Sequence, residues 1–269
     1  LTQKNISFGI TAFLDVLGFR NRVSKAISIS DIDAIAKDLR KIQSEFGFKP
    51  KDDLIKANHS NYKKTVLAFS DSVVVNVSLQ SEATKIIGTF DTIILELYGM
   101  AIAQSNCVSS GLFLRGGVDC GFWYRRGFTL ISKSFIGAYR AEQLANVPII
   151  ALTNDLYQFL SKHPDRKIYS KDIEPVDQLL RLYKDGNVSF WYLDYLTIFA
   201  NQGNMAALTV WFTHHARTVE KAYQQSTKEE FESESEREKV MRKYAWLASY
   251  HNEIAQKFTT SSECQCDLK

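Results

Sequence analysis

One segment constrains this chain more than any other. Residues 8–17 read Phe-Gly-Ile-Thr-Ala-Phe-Leu-Asp-Val-Leu, almost wholly apolar, with a single carboxylate, Asp15, near the end and Gly18 just beyond. A run so rich in β-branched and aromatic residues predicts a buried strand. Such a strand needs a core around it, and 269 residues with 45% hydrophobic content, 17 Phe and 12 Tyr supply one. The same mix excludes a disordered or collagen-like chain. A lone carboxylate at the end of an apolar strand is costly to bury without a partner. Followed by a glycine turn and a helix start, it sets an anion beside free backbone amides. That arrangement suits a metal-bound phosphate, and the plain alternative is a helix-capping aspartate.

The rest of the chain alternates in type. Residues 31–46 place Ile32, Ile35, Leu39 and Ile42 on one helical face, and Asp31 can start that helix. Residues 49–64 read as a polar loop. Residues 65–77, Thr-Val-Leu-Ala-Phe-Ser-Asp-Ser-Val-Val-Val-Asn-Val, predict two strands around a tight turn at Ser70-Asp71. One long helix is expected over 82–105, a strand or hairpin over 111–124, a short helix over 136–146 and a further strand after Pro148. This order of strand, helix, hairpin, helix, strand, helix, strand predicts an α+β fold, a ferredoxin-like sheet with helices on one face. Residues 191–225 carry helical spacing, 228–243 form a charged, solvated stretch, and 244–258 predict one more helix. The chain thus divides into a sheet domain over residues 1–190 and a helical extension over 191–269 packed on it.

Two further features carry chemistry. Asp71 sits at the hairpin turn, where aspartate is common for local reasons. In a ferredoxin-like sheet, however, the first strand neighbours this hairpin, so Asp15 and Asp71 can share one edge. Two carboxylates there make a site for divalent cations that hold a triphosphate. Leu114-Arg115-Gly116-Gly117-Val118-Asp119-Cys120-Gly121 places a guanidinium in an apolar strand beside glycines, which suits an approach to phosphate. The alternative is an Arg115 paired with Asp119 or Asp15.

These motifs, in this order, resemble the catalytic domain of class III nucleotide cyclases over about residues 7–153. The likeness is nearest to the pyrimidine cyclases of bacterial anti-phage Pycsar systems, through FLDVLGF, AFSDSVVV, LRGGVDCG and Trp246-Leu247-Ala248-Ser249-Tyr250-His251-Asn252. The resemblance implies that Asp15 and Asp71, with the carbonyl of Val16, hold two Mn²⁺ or Mg²⁺ ions. It implies that the amides of Leu17, Gly18 and Phe19, with Arg115, hold the triphosphate. It also implies a homodimer with shared active sites. Leu67 stands where purine cyclases carry a lysine or glutamate, which argues for a pyrimidine. Tyr139 and Gln143 stand where the family's transition-state asparagine and arginine fall, and Arg140 or Lys133 could supply the missing charge. The base and ribose pocket is expected around Leu67, Ser132, Lys133, Tyr139 and Arg140. The expected reaction converts UTP to 3′,5′-cyclic UMP and pyrophosphate as a signal in anti-phage defence. UTP is favoured because Ser132-Lys133-Ser134 offers donors to O4. The alternatives are CTP as substrate or a non-catalytic nucleotide- or RNA-binding module.

Other signals exclude classes. A net charge of +3 argues against a stable nucleic-acid partner, the Trp123-Tyr124-Arg125-Arg126 run notwithstanding. No apolar run nears the roughly 18–20 residues that span a bilayer, and no signal peptide is visible, so no membrane role and a cytoplasmic location are expected. Cys107, Cys120, Cys264 and Cys266 fit neither a disulfide framework nor a zinc pattern and predict reduced thiols. His214-His215 lacks the companion ligands of a zinc site, and a structural role is expected for His251.

Overall fold

The computed structural model describes residues 6–47, 63–229, 231 and 233–268. In chain order the elements are β1 (Ile6–Val16), α1 (Phe19–Ser24), α2 (Ile29–Gly47), β2 (Lys64–Phe69), β3 (Ser72–Ser78), α3 (Glu82–Ile87), α4 (Thr89–Val108), β4 (Leu114–Arg126), β5 (Thr129–Ser132), α5 (Lys133–Ala145), β6 (Ile150–Leu152), α6 (Asn154–Ser161), α7 (Pro175–Leu179), β7 (Leu180–Asp185), β8 (Val188–Leu193), α8 (Tyr195–Ala200), α9 (Met205–Lys228) and α10 (Glu234–Phe258). The polar loop expected over 49–64 falls mostly on residues 48–62, which lie outside the described residues; Lys64 already belongs to β2.

The apolar run is the middle of the sheet. Its strand order is β2-β3-β1-β4-β6-β8-β7, with β5 paired to the end of β4. All pairings are antiparallel except β4 with β6. Period-two alternation sorts β1 onto two faces. Ile10, Ala12, Leu14 and Val16 join Val73, Val75, Val77, Leu114 and Val118 in the main core, with Phe90, Ile93, Leu97 and Met100 of α4. Thr11, Phe13 and Asp15 point the other way. Phe13 there joins Val74, Trp123 and Ala138 in a second, small cluster, with Leu67 and Phe135 packed against it.

The helices form their main layer on the first face, and α5 is the exception, lying on the second face over β4. The glycines of β4 explain how it lies so close. A methyl on Gly117 would meet the carbonyl oxygen of Ala138 at 2.0 Å and the amide nitrogen of Glu142 at 2.6 Å, and one on Gly121 would meet the amide nitrogen of Ser134 at 3.0 Å. Gly117 and Gly121 therefore admit a helix backbone, and a methyl on Gly116 would meet Leu14 Cδ2 at 2.7 Å and the Phe13 carbonyl oxygen at 2.9 Å, so the glycine pair beside Arg115 serves close packing within the fold rather than a phosphate.

Four sequence expectations change. The helix expected over 82–105 is two, α3 and α4, split at Gly88 with φ 92°. Helix α2 starts earlier than Asp31: Ser28 and Asp31 form a reciprocal cap, with Ser28 Oγ accepting from the Asp31 amide at 3.2 Å and Asp31 Oδ2 accepting from the Ser28 amide at 2.9 Å. Residues 191–193 are not helical but finish β8, so the sheet runs past residue 190. Aromatic side chains mislead here, because Phe190 and Tyr192 face the core while Trp191 stacks on Tyr157 at 4.3 Å, a two-residue period hidden in a uniformly aromatic string. The charged run and the last helix merge into α10, which begins after Ser233 caps it.

Candidate active site

The site is assembled at one end of the three central strands. Asp15 is opposite Arg115 on β4 and Ser72 on β3. The two-residue turn Ser70-Asp71 closes the β2–β3 hairpin, with Ser70 at φ 54°. The Val16 amide donates to the Asp71 carbonyl at 3.1 Å, which ties the turn to the end of β1. The sheet thus brings Asp15, Asp71 and Arg115 together: the β1–β3 register sets Asp15 beside the hairpin turn, and the β1–β4 register sets it opposite Arg115.

Arg115 is held between two carboxylates. It pairs with Asp15 at 3.2 Å and with Glu142 of α5, whose side chain is fully buried. Gln143 donates to Glu142. Asp119 is not its partner; that carboxylate accepts from the Thr153 hydroxyl at 2.5 Å. Burial raises the Asp15 carboxyl above its usual range; Arg115 opposes the shift, and neighbouring Asp71 adds to it. Burial likewise raises Glu142, against the pull of Arg115 and with a push from Asp15. Lys243 of α10 also reaches this cluster. Burial first and Arg115 second lower its ammonium, while Asp15 and Glu142 act to raise it.

A divalent cation fits here by donor chemistry. Asp15 and Asp71 are hard oxygen donors whose mutual repulsion a cation would relieve. They are two, and among the described residues no group of three or more His, Cys, Asp or Glu side chains could hold a metal. The neighbouring turn is only partly available to an anion. The Leu17 amide is committed to the Phe113 carbonyl at 2.9 Å. Gly18, at φ 77°, and Phe19 start α1, and their amides have no partner among the described residues.

The expected base-pocket residues fall into two places. Leu67 packs with Phe13, and Tyr139 meets Phe13 edge-on at 5.3 Å. Lys133 and Arg140 instead line a cavity of about 390 Å³ between α5 and the β6–β8 side, with Asp119, Asp155 and Trp191. Ser132 caps α5, accepting from the Phe135 amide at 3.0 Å and donating to the Phe122 carbonyl at 2.9 Å. Ser134 is fully buried against Thr11 at 2.7 Å. Both hydroxyls are spent on the fold, which removes them as readers of O4 and leaves Lys133 as the donor of that segment.

Glu142 and Lys243 are the site residues that sequence reasoning missed. Glu142 had a signal: it lies four residues after Ala138 and one after Ala141, a lone carboxylate on a face of small residues. Lys243 had none, being one cation in a charged run. The histidines of the extension do structural work elsewhere. His214 Nε2 contacts the Ser109 carbonyl at 2.8 Å, His215 Nε2 the Tyr195 hydroxyl at 2.9 Å, and His251 Nε2 the Cys264 carbonyl at 2.7 Å. All four cysteines are free thiols. Among the described residues no helix is long and apolar enough to cross a membrane.

No protein family matches the chain at the level of sequence, and no curated protein sequence matches it. Solved structures similar to it include a bacterial light-regulated adenylyl cyclase, 14% identical over 72% of this chain and 95% of that one, with a TM-score of 0.40. Another is the catalytic core of a rhodopsin-guanylyl cyclase with converted specificity in complex with ATPαS, 15% identical over 70% and 96%, with a TM-score of 0.41. A third is a class III adenylyl cyclase-like ATP-binding protein from Pseudomonas aeruginosa, 15% identical over 74% of this chain and 41% of that one, with a TM-score of 0.39. Identities this low leave the chemistry to be read from the residues themselves.

Proposed function

We propose that this protein is a nucleotide cyclase that converts UTP to 3′,5′-cyclic UMP and pyrophosphate, with CTP the alternative substrate. The observation that carries this reading is the meeting of Asp15, Asp71 and Arg115 at one end of the sheet. Asp15 and Asp71 would hold the divalent cations. When bound, these would acidify the ribose 3′-hydroxyl and neutralise the phosphate chain. Arg115 offers a planar fork to phosphate oxygens and would stabilise the charge that builds on the leaving pyrophosphate as the 3′-oxygen bonds to the α-phosphorus. To do so it must exchange the Asp15 partner for phosphate, and Glu142 keeps its other side anchored. Leu67 on an apolar wall supports a pyrimidine over a purine; Lys133 lines the separate cavity beside Asp119 and lends no support to uracil over cytosine as the substrate base.

The open part of the second sheet face supports the homodimer. Phe69, 50% exposed, lies there next to the Ser70-Asp71 turn, and Tyr139, 45% exposed, packs there on Phe13. A cytoplasmic signalling role in anti-phage defence follows from the resemblance to Pycsar cyclases, and phage plating on bacteria expressing wild-type or Asp71→Ala protein tests it.

The decisive experiment mixes the protein with all four ribonucleoside triphosphates, Mn²⁺ and Mg²⁺, and resolves the products. Cyclic UMP is expected, with Asp15→Ala and Asp71→Ala folded but inactive. Turnover without divalent metal, or no cyclic product from any nucleotide, refutes the reading. Sedimentation of the active sample should show a dimer; a fully active monomer rules out shared sites.

A further inference from the structure

Helix α5 has two chemically different sides. Phe135 and Tyr139 leave it toward Phe13, and Glu142 toward Arg115, on the side of the site described above. Lys133, Gly137 and Arg140 face the other way and line the cavity of about 390 Å³ that α5 forms with β6, β8 and the start of α6. That volume falls within the roughly 300–1,000 Å³ of small-molecule pockets.

The cavity has two unlike ends. At one end lies Asp119, a carboxylate only 7% exposed that still borders the cavity. A methyl on Gly137 would meet Asp119 Oδ2 at 1.9 Å, so a glycine in mid-helix is what makes room for this carboxylate. Its Oδ1 accepts from the Thr153 hydroxyl at 2.5 Å, which fixes the group and leaves it acceptor capacity for a ligand. Lys133 adjoins it. A methyl on Gly121, two residues along the same face of β4, would meet Lys133 Cβ at 3.4 Å. An acceptor beside a donor matches a ring N–H next to a carbonyl, the edge shared by uracil and guanine. Asp155, exposed at the start of α6, joins this end and makes it unfavourable to an anion.

The other end is cationic. Arg140 lies seven residues beyond Lys133 on α5, about 10.5 Å along the helix axis. Neither Arg140 nor Lys133 makes a hydrogen bond or ion pair with a described residue. Between the two ends the lining includes Ile136 and Trp191. The Trp191 indole is held flat against Tyr157 at 4.3 Å and 12°, a rigid aromatic wall for a planar ring.

We propose that this cavity is a second nucleotide site, which takes a nucleoside monophosphate with its uracil- or guanine-type edge at Asp119 and Lys133, its ring along Trp191 and its phosphate at Arg140. Helix α5 divides this site from Asp15, Asp71 and Arg115, and the assignment does not depend on the cyclase reading.

The test uses the full chain in EDTA, with UMP, GMP, CMP, AMP, uridine and inorganic phosphate as probes, read by calorimetry and by quenching of tryptophan fluorescence. UMP and GMP should bind at one per chain, at least tenfold tighter than CMP and AMP, which turn an amino group toward Lys133. Uridine should bind more weakly than UMP by on the order of tenfold to a hundredfold, the worth of one charge-assisted contact. Arg140→Met should erase that difference. Asp119→Asn, which can keep the Thr153 bond, should erase the preference for UMP over CMP; Lys133→Met reads the same edge if that variant folds poorly. Asp71→Ala should bind UMP as wild type does, because its carboxylate belongs to the other side of α5. Wild type that binds no nucleotide overturns the proposal, as does equal affinity for all four, or for UMP and bare phosphate. Binding that Arg140→Met, Asp119→Asn and Lys133→Met leave unchanged overturns it too. Binding lost in Asp71→Ala places the ligand in the other site and has the same consequence. No turnover is measured, so the outcome stands apart from that of the cyclase reading.

Discussion

Arg115 carries two roles that a single substitution would confuse. It is aimed at the end of the sheet where Asp15 and Asp71 meet, and it is also the counterion of the fully buried Glu142. Removing one member of a buried pair leaves the other uncompensated, at a cost of about 3–5 kcal/mol. Arg115→Ala should therefore lower the melting temperature and also cost on the order of 10²–10³ in turnover, the scale of losing one stabilising donor. The double variant Arg115→Ala/Glu142→Gln separates the two. With the buried charge gone it should recover much of the stability, while turnover stays low because the guanidinium is still missing. Melting and turnover measured on the same samples decide the matter; recovery of both together would make Arg115 a purely structural residue. Arg115→Lys should recover only part of the rate, since an ammonium cannot bridge a carboxylate and phosphate oxygens in one plane.

At the scale of elements, helix α5 and strand β4 work as a unit. Glu142 reaches Arg115 only because the α5 backbone rests on Gly117. A methyl at Gly117 would strike backbone atoms, which cannot rotate away, so Gly117→Ala must push the helix off the strand. Overpacking of this kind typically costs about 1–3 kcal/mol, and here it would also draw Glu142 from Arg115. Gly117→Ala should melt earlier and lose activity beyond what the folded fraction accounts for, measured by turnover below the melting transition. Gly186 makes the control: at φ 54° in the β7–β8 turn, with open space around it, an alanine there strains the backbone without touching the site. Gly186→Ala should lose stability and keep its specific activity.

At the scale of the whole molecule, the extension is locked down by a buried pair of histidines. The rings of His215 in α9 and His251 in α10 stack at 4.7 Å and 5°. Burial holds His215 well below the usual histidine range, and holds His251 down to about 4. The folded state therefore refuses protons that the unfolded chain accepts below pH 6.5, so these groups stabilise the fold above that pH and lose the contribution as pH falls toward 4. For His251 alone the loss between pH 7 and pH 5 is about 2 kcal/mol. Asp15, Asp119 and Glu142, whose carboxyls are raised, act with the opposite sign over the acid end of this range. The histidine contribution is isolated by comparing wild type with His251→Phe, which keeps the stack. The variant should start less stable, having lost its bond to the Cys264 carbonyl, and show a flatter fall in melting temperature from pH 7 to pH 5. Equal slopes would place the acid sensitivity elsewhere.

Local pattern was enough for some of this molecule. A solid apolar run can only be an interior strand, a two-residue Ser-Asp break between β-branched strings can only close a hairpin, and both aspartates then come to one end because an interior strand must have neighbours. Tertiary contact decided the rest. That Gly117 serves a helix and not a ligand depends on α5 crossing above it, far along the chain. The hydroxyls of Ser132 and Ser134 looked free in the sequence and are consumed by a helix cap and by Thr11. The strand over residues 188–193 was hidden because aromatic residues fill both its faces, so composition masked the period. Glu142 and Lys243 were the deepest omissions, for one physical reason. A charged residue reveals its role through the charges it is packed against, and those neighbours are set by how the helices dock on the sheet.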